Sequence, residues 1–102
     1  MPYYRPDDVV IHPAPRKMRK GDHTNSAKYI GLSRNGKKWQ VLLMIDGWRC
    51  YMTSKTSQIE CAWIYDKLVI YMNGLAAKTN FAYTKSQVLA FIEEVDQAMT
   101  SN

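Results

Sequence analysis

The chain is 102 residues long, which is room for one small domain with a modest apolar core. Hydrophobic residues make up 46% and charged ones 23%, ordinary globular usage rather than that of a disordered chain, and there is no run of 18 apolar residues to span a membrane. Fourteen Lys and Arg against nine Asp and Glu give a net charge of +5, which points to an anionic partner.

Residues 1–27 read as an extended basic arm. Pro2, Pro6, Pro13 and Pro15 exclude a long helix there, and Gly21–Ser26 is loop chemistry. The start has no apolar stretch of a secretory signal, and Asp7 and Asp8 spoil a basic amphipathic presequence. The cluster Arg16, Lys17, Arg19 and Lys20 is the expected anchor of the arm on phosphates.

From Lys28 the pattern turns to strands. A first strand is expected over Lys28–Ser33, a turn at Arg34-Asn35-Gly36-Lys37, and a second strand over Trp39–Ile45. Asp46-Gly47 signals a tight hairpin leading into a third strand, Trp48–Thr53. The capping box Ser57-Gln58-Ile59-Glu60 opens a helix that should run to about Asn73, where Gly74 offers a left-handed stop. Its stripe Ala62, Tyr65, Val69 and Met72 is expected to face the sheet, with Trp39 and Tyr65 in the core. A second box, Thr84-Lys85-Ser86-Gln87, opens a C-terminal helix. Val88, Phe91, Ile92, Val95 and Met99 form its apolar stripe, and Glu93, Glu94 and Asp96 face water.

Charge is concentrated in the middle of the chain. Residues 28–55 carry Lys28, Arg34, Lys37, Lys38, Arg49 and Lys55 against Asp46 alone, so that segment is the expected contact surface for a polyanion. In the second strand Trp39, Val41, Leu43 and Ile45 point one way, and Lys38, Gln40, Leu42 and Met44 the other. The second set lies inside a basic rim of Arg34, Lys37, Lys38 and Arg49. Such a surface suits sugar–phosphate and base contacts, or a protein partner.

Nothing in the pattern assembles catalysis. His12 and His23 lie in the arm, the clustered acids lie on a helix face, and no Gly-rich loop follows a strand. Cys50 and Cys61 lack metal-ligand spacing and are expected as small buried hydrophobes. The chain is therefore expected to be no enzyme, and to need no cofactor, metal, membrane or small-molecule substrate.

Several of these residues together carry a resemblance. Tyr29-Ile30-Gly31-Leu32, Lys38-Trp39, Tyr51-Met52, Glu60-Cys61-Ala62 with Tyr65-Asp66-Lys67, Gly74 and Asn80-Phe81 follow one another at a familiar spacing. Over residues 28–81 the chain resembles a divergent member of the Apetala-2/ethylene-response-factor DNA-binding domain family. The resemblance implies an α+β fold: a three-stranded antiparallel sheet packed on one helix, here with the arm before it and the helix of residues 82–102 after it. It also implies that the sheet meets nucleic acid, with Arg49 and Tyr51 matching a base-reading arginine and an aromatic. Other positions depart from the pattern. Ile30 and Ser33 stand where arginines are usual, and Leu42 and Met44 stand where plant members carry a glutamate and an arginine. Arg34, Lys37 and Lys38 remain able to hold phosphates, whereas Leu42 and Met44 suit a protein neighbour.

Two functions follow as expectations. Domains of this type also occur in alveolate protists, where some resemble organellar ribosome components. That favours an RNA-binding subunit of a ribonucleoprotein such as a mitochondrial ribosome, bound to rRNA and to neighbouring proteins of a large assembly. The alternative is a nuclear transcription regulator that reads duplex DNA.

Overall fold

Two tight turns set the central sheet. In the computed structural model, which describes residues 3–14 and 29–100, Asp46 and Gly47 both take positive φ, +51° and +82°. That is the requirement of the two-residue hairpin loop whose twist suits the flanking strands. Three antiparallel strands result: β2 (Leu32–Asn35), β3 (Lys38–Ile45) and β4 (Trp48–Lys55), in the order β2-β3-β4. The loop between β2 and β3 turns on Gly36, also at positive φ. A shorter β1 (Val9–Ile11) precedes them in the arm.

Of the strand expected over Lys28–Ser33, Lys28 lies outside the described residues and the strand begins at Leu32 rather than at Tyr29; Gly31 shows why. Its φ is +79°, its carbonyl accepts the Leu42 N–H at 2.8 Å, and a Cβ there would run into the Tyr65 ring. The expected Trp48–Thr53 strand extends two residues further by means of a bulge. Thr53 sits at φ +46° between Met52, which pairs with Val41, and Ser54, which pairs with Gln40. The extra residue reverses the alternation, so Ser54 shares a face with Gln40 and Lys55 shares the face of Trp39. Lys55 thereby comes within 3.8 Å of Glu60.

The helix α1 (Gln58–Asn73) follows, then a 3-10 turn Gly74–Ala76, β5 (Tyr83–Thr84) and α2 (Lys85–Thr100). Ser57 caps α1, its hydroxyl accepting the Glu60 N–H at 3.4 Å, and Gly74 ends it at φ +60°. At α2 the capping box closes both ways. The Thr84 N–H donates to Gln87 Oε1 at 2.9 Å, and the Gln87 N–H to Thr84 Oγ1 at 3.3 Å. No helix among the described residues is long and apolar enough to cross a membrane.

The molecule divides into two compact units, Pro15–Tyr65 and Met1–Ala14 with Asp66–Asn102. The core of the first is Val41, Leu43, Cys61 and Ala62, with the Cys61 thiol donating to the Trp39 carbonyl at 3.1 Å. Trp39 and Tyr65 are half-buried at its margin, and Cys50 is half-buried rather than enclosed.

In the second unit the described part of the arm, residues 3–14, is held by its backbone. Strand β1 pairs antiparallel with β5, and the Ala14 N–H donates to the Thr79 carbonyl at 2.9 Å. The Lys85 and Ser86 N–H groups donate to the Asp8 and Pro6 carbonyls, each at 2.9 Å. The arm therefore satisfies first-turn donors of α2 that no helix can satisfy internally. Ile11, Val69, Ile70, Ala77, Tyr83 and Val88 form the core, and Tyr83 meets Phe91 edge-on at 5.3 Å.

Within this unit Asp66 is completely buried. It accepts the Asn80 N–H at 2.8 Å, the Asn80 side-chain amide at 3.0 Å, the Phe81 N–H at 3.0 Å and the Tyr83 hydroxyl at 2.7 Å. Burial pushes its carboxyl above the ordinary value, while these donors pull it back. The Tyr83 phenol is driven well above its usual range by burial and by the carboxyl beside it. Asp66 takes the α1 position four residues from both Ala62 and Ile70, and Met72, expected on the buried stripe, is exposed on the last turn. Met99, expected on the stripe of α2, is also exposed.

Candidate nucleic-acid interface

The register of the three strands decides which side chains share the outer face of the sheet. Residues directly opposite each other on paired strands project from the same side. Met44 therefore stands beside Arg49, and Leu42 beside Tyr51. Gln40 lies between Ser33 and Ser54, and Lys38 beside Asn35. Four cross-strand rows result, apolar with one guanidinium near the hairpin loop and polar to basic at the other end. Met44 is 57% exposed and Tyr51 52%, so both are available to a ligand. Leu42 and Gln40 are half-buried, and Lys37, Lys38 and Arg49 are exposed.

Electrostatically the face is one-signed. The only carboxylate between residues 29 and 59 is Asp46, in the hairpin loop. Cations at both ends of a strip with no acid between them form a surface that attracts a polyanion along its length.

The structure brings together six of the residues singled out above, Leu42, Met44, Arg49, Tyr51 and Lys38 on the face, with Lys37 in the adjoining loop. Arg34 is set apart from them. It is paired with Trp39, so it projects from the opposite face, where its guanidinium lies 5.4 Å from the Trp39 ring centroid and its Nε donates to the Gly36 carbonyl at 3.0 Å. Arg16, Lys17, Arg19 and Lys20 lie outside the described residues.

Sequence reasoning missed Ser33 and Ser54 as members of this face. Ser33 and Ser54 reach the face only through the pairing of β2 and through the Thr53 bulge. Trp48, first residue of β4, is 76% exposed, but it is opposite Ile45 and so belongs to the other face of the sheet.

Other surfaces offer less. A groove beside the first turns of α2 is bordered by Lys85 and Glu93, and the Lys85 ammonium already donates to the Tyr4 carbonyl at 2.8 Å. Among the described residues no group of three or more His, Cys, Asp or Glu could hold a metal ion. Comparison of the chain with protein-family models, with curated proteins and with solved structures finds no match.

Proposed function

We propose that this protein is a non-catalytic RNA-binding subunit of a ribonucleoprotein, of the kind that organellar ribosomes contain. The observation that carries the reading is the outer sheet face, on which Arg49, Tyr51, Met44, Leu42 and Lys38 stand together without an acid among them. Positive charge recruits the phosphate backbone, and the exposed apolar and aromatic side chains gain by being covered. In a large assembly both needs are met at once, since RNA and neighbouring proteins meet the same surface. The resemblance to the Apetala-2/ethylene-response-factor domain supports the nucleic-acid part of the reading. Gly31 against Tyr65, and Asp66 with Asn80 and Phe81, are close contacts between residues of the resembling pattern.

Arg49 favours a second reading, a regulator that reads duplex DNA. An exposed arginine on a strand can meet a guanine edge in the major groove, and a two-stranded ribbon fits there. Sedimentation of the native protein from its own cells, with and without RNase, separates the two. A large particle that RNase collapses supports the ribonucleoprotein. A small species indifferent to RNase, or one released from chromatin by DNase, supports the regulator.

A further inference from the structure

We infer that the outer face of the β2-β3-β4 sheet binds single-stranded RNA, with Tyr51 as the platform for an unpaired base and Lys37 and Lys38 on the phosphates. The inference rests on the nucleic-acid reading above and adds the form of the ligand.

The chemistry of the rows carries it. In the two rows nearest the hairpin loop, Met44 with Arg49 and Leu42 with Tyr51, only Arg49 and the Tyr51 hydroxyl can hydrogen-bond well. A duplex groove presents base edges, which carry donors and acceptors at every step. Leu42 and Met44 pressed on those edges would strip them of water and return no hydrogen bond. The face of an unpaired base has the opposite character: it is flat and apolar, and a ring or thioether packs on it well. Tyr51 is half open to solvent and flanked by such groups, so a stacked base covers what the fold leaves uncovered.

Spacing agrees. Side chains on one face recur every second residue, about 6.8 Å along a strand, twice the interval of about 3.4 Å between bases in a duplex strand. Successive rows therefore match nucleotides drawn apart from one another. Past the Tyr51 row, Gln40 with Ser33 and Ser54 supplies amide and hydroxyl groups that can meet the edge of the next base. Lys38 and Lys37 close the strip with charge, and Arg49 closes the other end. One nucleotide per row gives a footprint of about four nucleotides.

The test uses the full chain and fluorescence anisotropy with short RNA single strands of mixed sequence, the matching duplex RNA and a duplex DNA. Single strands are expected to bind tightest. Tyr51→Ala should weaken that binding about five- to hundredfold without changing its salt dependence, because it removes a stacking ring and no charge. Tyr51→Phe, which keeps the ring, should rescue it. Lys37→Ala with Lys38→Ala should lower the log–log salt slope by about 1.4, at about 0.7 for each phosphate contact to a single strand. Either duplex binding at least as tightly as the single strands overturns the inference and leaves the nucleic-acid reading standing. So does a Tyr51→Ala protein that binds as well as Tyr51→Phe. Failure of all three probes to bind at about 50 mM salt overturns the underlying reading as well.

Discussion

Removing the Asp66 carboxylate tests what holds the unit formed by the arm, α2 and the second half of α1. Asp66→Ala deprives four donors of their acceptor: two backbone N–H groups, the Asn80 amide and the Tyr83 hydroxyl. The donors differ in what they can recover. Asn80 is half-buried and its side-chain amide can turn to water, whereas Tyr83 is only 5% exposed and its hydroxyl cannot. Counting three donors at the lower end of about 1–3 kcal/mol each, the expected loss is about 3 kcal/mol. A chain of this length holds about 5–15 kcal/mol in total, so the variant should be severely destabilised. Urea titration followed by far-UV circular dichroism measures the loss. Emission of Trp39, Trp48 and Trp63, which all belong to the other unit, reports on that unit separately. Asp66→Asn keeps one carbonyl acceptor but presents an NH2 to the remaining donors, and is expected to recover less than half of the loss. A stability within about 1 kcal/mol of the parent for Asp66→Ala would refute the reasoning, because the network would then contribute nothing beyond what water supplies.

Three further outcomes are expected. Gly31→Ala combines a positive φ with a collision against the Tyr65 ring, and should cost about 3–5 kcal/mol, read as a lowered urea midpoint of tryptophan emission; a parent-like midpoint would refute the close approach. Thr53→Asn should stabilise by about 1 kcal/mol in thermal unfolding, since a β-branched residue at φ +46° is strained where asparagine is tolerated; a lowered midpoint would mean that the threonine side chain itself holds the bulge. Cys61 and Tyr83 both have pKa values raised by burial above their ordinary 9.0 and 10.0, so the unfolded chain ionises first. Their contribution is complete below about pH 9 and is lost as the pH climbs past those ordinary values towards the folded ones. Urea midpoints should therefore fall between about pH 9 and 11, and a flat profile there would contradict the burial of both groups.

The elements legible in the sequence are those whose signals are local. Asp46-Gly47 sets two positive φ values in adjacent residues, Thr84 and Gln87 satisfy each other across three, and Gly74 ends α1 with its own φ. What was not legible depends on partners far along the chain. Val9–Ile11 looks like proline-rich coil because the strand it pairs with, Tyr83–Thr84, is more than seventy residues away and only two residues long. The Thr53 bulge was invisible for a related reason. No glycine marks it, and its effect, bringing Ser54 to the outer face and Lys55 to the side of Glu60, appears only once β4 is paired with β3. Arg34 was grouped with Lys37 and Lys38 by proximity in sequence, yet a strand separates neighbours by face, and its pairing with Trp39 turns it away.

Asp66 shows the limit of hydropathy patterning. As a carboxylate it reads as a solvent-facing position, but it lies one helical turn from Ala62 on one side and from Ile70 on the other, both fully buried. A charge in that place has to be answered by donors, and Asn80 and Phe81, which follow it in the resembling pattern, supply them from a loop with no other periodic signal. The same holds for Gly31 and Tyr65. These pattern residues meet one another, so what the resemblance carries most directly is packing. On the outer face the balance is reversed. Leu42 and Met44 depart from the pattern and stand beside Tyr51 and Arg49, which follow it. A function carried over from the pattern alone would treat the two apolar positions as losses from a DNA-reading surface. Taken as a surface in its own right, the same four side chains combine one cation, one ring and two flexible apolar groups, a set better matched to the faces of bases than to their edges.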